Sequence, residues 1–539
     1  MGKKLIIGGV LLLSALTASW SLSARPMDDH ESFVSVAARE MIQSGNWVLP
    51  TFNGQPRLQK TPLSYWLTAC ISKVMGNVGE FTSRLPSAIF AFLSVAAMLY
   101  FVNRWLGLRI AALSAAAWAT TIGYAFWSHS ARPEMALTFF TTVCLLTFYT
   151  AATSENNRHR TVFMLIFWVS FALGNLAKGP APFVYVLLPV GLYIALRKDW
   201  RLIPRMMPIW GIIILLVVIL PWPLAVAHKV SWNVVIWRKE FFDRLFGEYA
   251  AGHYPWYYYF GMVIKYVSPW CILFPIALAA PFFKVWGQRR PVMLYLWLWF
   301  VGNYVFLMLS GGKRQHYLLP LVPAMSMLTA ILIDDMAFVR RAFTPKFAAN
   351  ILRGHVLFFI DFAIALPVYF AMSKTTAYSA IATVRLAVAF SLIFAAAVII
   401  SVVFFMKHRP VAALVVFFGC FGALMACPYT EIVNRISPDR PVKEFALKVA
   451  KIVPADDKMV SYKLVRANFI HYFGRTIEKV MNESELYSRY QQGCWVVSFG
   501  SEMNEMEDTG RYKIVFREEN ARQRGKNISA GALFHKSSF

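Results

Sequence analysis

With 539 residues, 58% of them hydrophobic and only 15% charged, and a mean hydropathy of +0.50, the chain is too apolar for a water-soluble protein of this size. The formal charge of +26 would suit a nucleic-acid binder, but the 54 Lys and Arg residues fall mainly in alternate short loops, with no basic patch interleaved with exposed aromatics, which excludes that class. Six cysteines without CxxC spacing, most of them in or beside apolar runs, exclude a disulfide framework and a cysteine metal cluster.

An α-helix crosses the hydrocarbon of a bilayer with about 17–25 apolar residues. Thirteen such stretches recur, at approximately 5–24, 85–103, 109–126, 133–152, 161–177, 180–196, 206–227, 259–283, 291–310, 315–334, 354–373, 383–406 and 411–427. The first could instead be a cleaved signal peptide, since it ends in small residues. In either case the chain just after Ala24 lies outside. With Lys3 and Lys4 inside, basic residues gather in the inside loops at every crossing: Arg104 and Arg109, Arg158 and Arg160, Arg197 to Arg205, Lys284 to Arg290, Arg340 to Arg353, and Lys407 with Arg409. The expected fold is a polytopic α-helical membrane protein of about thirteen transmembrane helices.

Two outside loops are long, 25–84 and 228–258. In the first, "DDHESFVSVAAREMIQSGNWVLP" has apolar residues at helical spacing after an acidic start. With "RLQKTPLSYWLTACISKVMG" it predicts short helices on the membrane surface, with Trp47 and Trp66 at headgroup level. The second holds "WRKEFFDRLFGEYAAGHYPWYYY", and the run Trp256 to Phe260 reads as an interfacial belt rather than a substrate cage. Past residue 427 the composition shifts: "MVSY", "CWVVSF" and "YKIVF" predict strands, "PVKEFALKVAKIV" and "ESELYSRY" helices. The chain thus divides into a transmembrane domain, 1–427, and a small α/β domain, 428–539, which an odd number of crossings puts outside.

Ionisable side chains at a membrane boundary are costly and so are functional candidates. Asp28, Asp29 and Glu31 stand at the outer end of the first span, and Glu134 at the outer start of the fourth in "ARPEMALTFF". Two acidic sites on one outer cavity would suit a general base and a group that holds the acceptor. The alternative is that they are ordinary helix N-terminal acids. Lys60 in "QKTPLSYW", Lys178 in "LAKGP", Arg244 in "DRLF", and Lys313 with Arg314 in "GGKRQHYLLP" also lie outside, where topology disfavours them. A lipid-linked phosphate would give them a partner; headgroup snorkelling is the alternative. His30, His228, His253 and His316 lack any HExxH spacing and read as boundary histidines rather than metal ligands.

After the acidic pair, "AREMIQSGNWVLPTFNGQPRLQKTPLSYW", "SARPEMALTFF", "LAKGP", "LPWPLAVA", "HYPWYYY", "SPWCILFPIAL" and "KRQHYLLPLVPA" follow in order. In these the chain resembles the bacterial aminoarabinose–lipid A transferases and the wider protein-mannosyltransferase-like group of C-type glycosyltransferases. The resemblance implies an undecaprenyl-phosphate sugar donor and an inverting transfer on the outer face of a bacterial inner membrane. The acceptor would be lipid A or another envelope glycan. It further implies that an Asp at the outer end of the first helix, Asp29 or Asp28, acts as base or acceptor-positioning group and that Glu134 is a second acidic residue. Lys60, Arg244, Lys313, Arg314 and Tyr317 would then approach the donor phosphate.

Two departures stand out. Counted back without gaps from "AREM", the family's Asp-Glu pair falls on His30-Glu31, so Asp29 or Asp28 takes the Asp's place only through a one-residue shift. Gln59 stands where relatives have Glu, which removes a carboxylate that could bind metal together with His253. No metal or other cofactor is expected, and there is no glycine-rich nucleotide loop. The expected partners are a polyprenyl-phosphate-linked sugar, a lipid or glycan acceptor and membrane lipid. A protein acceptor stays open. A transporter or flippase is disfavoured, because the charges sit at one face and no halves repeat.

Overall fold

The computed structural model describes residues 2–230, 254–372, 380–426, 437–518, 522–523, 526–527 and 531–536. Among them nine helices are long and apolar enough to cross a membrane, or eleven if each of two bent pairs is one span. The thirteen apolar stretches therefore resolve into nine straight spans, two bent pairs and two shorter helices, Ala181–Arg197 and Pro410–Leu424. Sequence windows register apolar length but not where a helix breaks.

The elements that build the site come early: α1 (Gly2–Ser19), α2 (Asp29–Ser44), α3 (Leu63–Met75), α4 (Glu80–Leu106), α5 (Leu108–Ala119), α6 (Ile122–Ser128), α7 (Glu134–Ala152) and α8 (Asn157–Lys178). The α5–α6 pair bends by 61°. The break is local chemistry: Thr120 Oγ1 returns to the Ala116 carbonyl, 2.7 Å away, and Thr121 Oγ1 accepts the Tyr124 N–H as a new N-cap. The second pair, Tyr258–Val267 with Trp270–Phe282, bends by 120°. The two breaks meet, because the freed Ile122 N–H donates to the Ser268 carbonyl at 3.0 Å.

Helix α7, apolar or threonine on every side, is buried along nearly its whole length between α4 and α8. The segment Pro208–Ala227 is more apolar still but mostly exposed, which suits a face turned to lipid. Where helices cross closely, glycine is required: a Cβ on Gly211 would lie 2.1 Å from the Trp168 ring, and one on Gly422 2.1 Å from Leu13 of α1. At the end of α4 away from Arg84, the buried Asp334 carboxylate pairs with Arg109 and, at 2.9 Å, with Arg289.

The loop 25–84 forms the two expected helices, α2 and α3, with a hairpin between them of β1 (Thr51–Phe52) and β2 (Gln55–Pro56). Its turn is Asn53-Gly54, both at positive φ (55° and 74°), as a two-residue hairpin turn demands.

The C-terminal strands are β3 (Met459–Tyr462), β4 (Glu478–Val480), β5 (Trp495–Ser498), β6 (Ile514–Glu518) and β7 (Gly531–Phe534), in the order β4-β3-β5-β7-β6. Strand β3 runs parallel to β4 and β5, while β7 is antiparallel to β5 and β6. Successive residues of β5 feed opposite faces. Trp495 and Val497 pack with Phe445 and Phe469, and Val496 packs with Leu486 and Met503. Because both faces are covered, the strands read as continuous apolar runs.

This sheet module sits directly on α2. Arg39 Nη1 donates to the His471 carbonyl at 2.9 Å, Ser35 Oγ lies 2.9 Å from His471 Nδ1, and Val36 joins the module's core. Burial pushes the His471 imidazole down to about 4, so it stays neutral in this contact.

Candidate functional site

The site begins with the first turn of α2, where four ionisable residues follow one another. Asp28 and Glu31 form a capping box: Asp28 Oδ1 accepts the Glu31 N–H at 2.9 Å, and Glu31 Oε2 accepts the Asp28 N–H at 3.3 Å. Glu31 is fully buried. Its carboxylate takes Arg84 Nε and Nη2, both at 2.9 Å, Arg25 Nη2 at 2.7 Å and the Ala131 N–H at 2.9 Å. Burial pushes its pKa up, but Arg25 and Arg84 outweigh this and hold it well below the usual carboxylate range. Arg84 spends its remaining donors on the carbonyls of Leu22, Arg25 and Pro26. One buried pair thus locks the chain after α1, the start of α2, helix α4 and the loop before α7.

The neighbouring aspartates turn elsewhere. Asp28 Oδ2 pairs with Arg132 and lies 3.7 Å from Arg25. Asp29 Oδ1 accepts the backbone N–H of Asn468 at 3.1 Å, and the Asn468 side chain donates to Asp439 Oδ1 at 2.9 Å. Burial, with Asp28 and Asp29 adding repulsion, pushes the Asp439 carboxyl up to about 6.

Asp439 sets an expected pH dependence. A carboxyl raised in the folded state from its ordinary 3.8 gives stability that is present below about pH 4 and lost as the pH rises through about 6. At about 1.4 kcal/mol per pH unit, the loss is on the order of 2–3 kcal/mol. Thermal unfolding between pH 4 and 8 should therefore show Asp439→Asn flattening that slope and raising the midpoint at pH 8. An unchanged slope would mean that Asp439 is already solvated.

His30 faces a cavity of about 450 Å³ that lies between α2, the hairpin, the loop before α7, the end of α8 and the segments around 254–258 and 312–317. Among the described residues six cations line it, Arg57, Lys60, Arg132, Lys178, Lys313 and Arg314, against one carboxylate, Glu134. Local sequence places each. Helix α8 stops at Lys178 because Gly179 adopts φ 61° and Pro180 comes next. Lys178 Nζ then donates to Glu134 Oε1 at 2.9 Å, with His316 Nε2 3.5 Å from the same oxygen. Glu134 Oε2 is buried and has no hydrogen-bond partner among the described residues.

Lys313 is mostly buried and donates to the Ser310 carbonyl at 2.7 Å. The Tyr259 hydroxyl clasps the Arg314 backbone, accepting its N–H at 3.1 Å and donating to its carbonyl at 3.3 Å. Tyr185 donates to the Tyr317 carbonyl at 2.9 Å. Arg57 lies over the Phe33 ring at 3.8 Å.

Of the residues expected from sequence, Lys60, Glu134, Lys313, Arg314 and Tyr317 meet on this cavity. Asp28 stands one ion pair behind it through Arg132, Asp29 faces the sheet module, and Glu31 is sealed behind both. Arg244 and His253 lie outside the described residues. Arg57 and Arg132 belong to the same wall and are missed by sequence reasoning, although the signal that marks Lys60, a cation beside aromatics on the expected outer side, applies to them. Tyr258 of the aromatic run lines the cavity, as does Tyr254 before it, so one residue of the run is cavity wall rather than belt. No group of three or more His, Cys, Asp or Glu suited to a metal occurs among the described residues.

The sequence profile of the dolichyl-phosphate-mannose-protein mannosyltransferases matches residues 28–233. An undecaprenyl phosphate-α-4-amino-4-deoxy-L-arabinose arabinosyl transferase of Pseudomonas fluorescens (strain Pf0-1) is 28% identical over 328 residues, 59% of this chain and 58% of that relative. Its counterpart in Pseudomonas savastanoi pv. phaseolicola is 29% identical over 332 residues, 60% of each. The chain thus spans about three fifths of the length of these curated relatives. In fold it is similar to ArnT from Cupriavidus metallidurans bound to undecaprenyl phosphate, with a TM-score of 0.83 at 17% identity over 98% of this chain and 97% of that one. The archaeal oligosaccharyltransferase AglB from Archaeoglobus fulgidus is more distant, with a TM-score of 0.51 at 11% identity over 91% of this chain and 69% of that one. With its many apolar spans the chain is a multi-span membrane protein that shares the fold of ArnT and is similar in sequence to the aminoarabinose transferases and, over residues 28–233, to the protein mannosyltransferases.

Proposed function

We propose that the chain transfers a sugar from undecaprenyl phosphate to lipid A or another envelope glycan. The observation that carries this is the cavity wall of six cations against one carboxylate, set at the ends of apolar helices. A phosphate ester on a lipid tail fits both the charge and the location. The relatives named for undecaprenyl-phosphate-linked aminoarabinose, and the fold shared with ArnT, support the same donor.

In this reading the acceptor oxygen attacks the anomeric carbon while the bond from that carbon to the phosphate oxygen breaks. The electron pair leaves with polyprenyl phosphate, and the acceptor proton passes to a base. Lys60, Lys313 and Arg314 neutralise the departing phosphate, with Tyr317 beside them and Arg244 as a further candidate. A single displacement inverts the anomeric centre. The unpartnered Glu134 Oε2 is placed to take a hydroxyl of the sugar or acceptor. The alternating basic loops support an outer-face, periplasmic site in a bacterial inner membrane. The contact of α2 with both the cavity and the sheet module supports putting the 428–539 domain on the same side as the site.

A second reading, a protein acceptor, is favoured by the match of residues 28–233 to protein mannosyltransferases. Purified protein given synthetic undecaprenyl-phosphate aminoarabinose or mannose, with lipid A or a Ser/Thr peptide as acceptor, separates the two. Lys313→Ala with Arg314→Ala should raise the donor KM about 10–100-fold, from the loss of charge-assisted hydrogen bonds. Absence of both donor binding and transfer in the wild type would overturn the proposal.

A further inference from the structure

Resting on that reading, we infer that His30, rather than either neighbouring aspartate, takes the proton from the acceptor. Of the four ionisable residues in the first turn of α2, only His30 lines the cavity. Asp28 is held by Arg132 and by the N-cap bond, Asp29 by Asn468, and Glu31 by Arg84 and Arg25 in a fully buried site. His30 makes no hydrogen bond to another described residue and is exposed on the cavity side, whereas His471 and His129 are both committed to protein partners. Glu134 and His316, the other proton acceptors on the wall, share a cluster with Lys178, which leaves them to position ligand rather than to accept a proton.

An imidazole also fits the charge of the pocket. The step moves the acceptor O–H proton to the unprotonated ring nitrogen of His30 as the oxygen bonds to the anomeric carbon and the phosphate leaves. The imidazolium then returns its proton to solvent. The charged groups around the ring are Arg132 on the loop before α7, Arg314 on the segment before Gln315–Leu321, and Asp28 and Asp29 on its own helix. Partial desolvation at the cavity wall, then Arg132 and Arg314, lower its pKa against the opposing pull of the two aspartates, so the ring is unprotonated at neutral pH and has a nitrogen free to accept a proton.

The test is the pH profile of transfer by wild type, His30→Ala and His30→Asp in detergent or nanodiscs, with binding of undecaprenyl phosphate measured separately. His30→Ala should lose about 10²–10⁴-fold in kcat while keeping the donor KM within a few-fold, and added imidazole should restore part of the rate. His30→Asp should recover activity with its acidic limb moved to lower pH. His30→Ala within about threefold of wild-type kcat, or His30→Asp with the limb unmoved, would overturn the assignment. A wild type that binds undecaprenyl phosphate but transfers no sugar would instead sink the functional reading on which it rests.

Discussion

Glu31→Ala is expected to destabilise the protein by about 3–5 kcal/mol, because it strands a buried guanidinium. Arg84 is 1% exposed and makes five hydrogen bonds, two to Glu31 and three to the carbonyls of Leu22, Arg25 and Pro26. Without the carboxylate, two of its donors and its charge are left uncompensated away from water, and the Ala131 N–H loses its acceptor as well. Arg84→Met should cost a comparable amount, since it leaves Arg25 and two backbone N–H groups to hold the Glu31 charge and releases the three carbonyls. The double variant Glu31→Leu with Arg84→Met should be more stable than the sum of the singles, because an apolar pair removes both charges together. Thermal unfolding of purified protein, followed by cysteine labelling, reads all three. Additive losses would show that the two residues act independently.

Glu134→Gln is expected to cut kcat/KM about 10–100-fold, with a smaller loss of stability than Glu31→Ala because the Gln carbonyl can still accept from Lys178. That range is the ~1.5–3 kcal/mol of a hydrogen bond to a charged group, converted to a rate ratio. Two roles are open to Glu134: counter-ion to Lys178 through Oε1, and acceptor for substrate through the unpartnered Oε2. A buried oxygen without a partner among the described residues costs free energy unless one arrives, which points to a partner brought by the reaction. Glu134→Gln keeps the shape and removes the charge, whereas Lys178→Met leaves Glu134 without its closest cation. If Glu134→Gln keeps transfer within about threefold of wild type while Lys178→Met unfolds the protein, the carboxylate serves only the ion pair.

Much of the site could be read from the chain because its cations break a rule. Lys60, Lys313 and Arg314 stand out in sequence because the topology expected from the basic loops puts them on the side where Lys and Arg are few. Arg132 and Arg57 fall on the same expected side, but which cations share one wall is set by tertiary contacts such as those of Arg132 with Asp28 and of Arg57 with Phe33. The sheet module was legible as alternating strands and helices, since the spacing of Val442, Phe445, Ala446 and Val449 is that of one helical face. Its seat on α2 was not, because Ser35 and His471 are 436 residues apart.

Apolar length and the placement of Lys and Arg decide, by themselves, that this chain lives in a bilayer, roughly where its helices run and which end collects the unusual charges. Those properties are additive along the sequence. Tertiary structure decided what each residue of the acidic cluster does. On a helix each residue is turned about 100° from the last, so Asp28, Asp29, His30 and Glu31 leave the axis in four directions. Arg132, Asn468, the open cavity and Arg84 then assign them four different environments, and none of these partners is local in sequence.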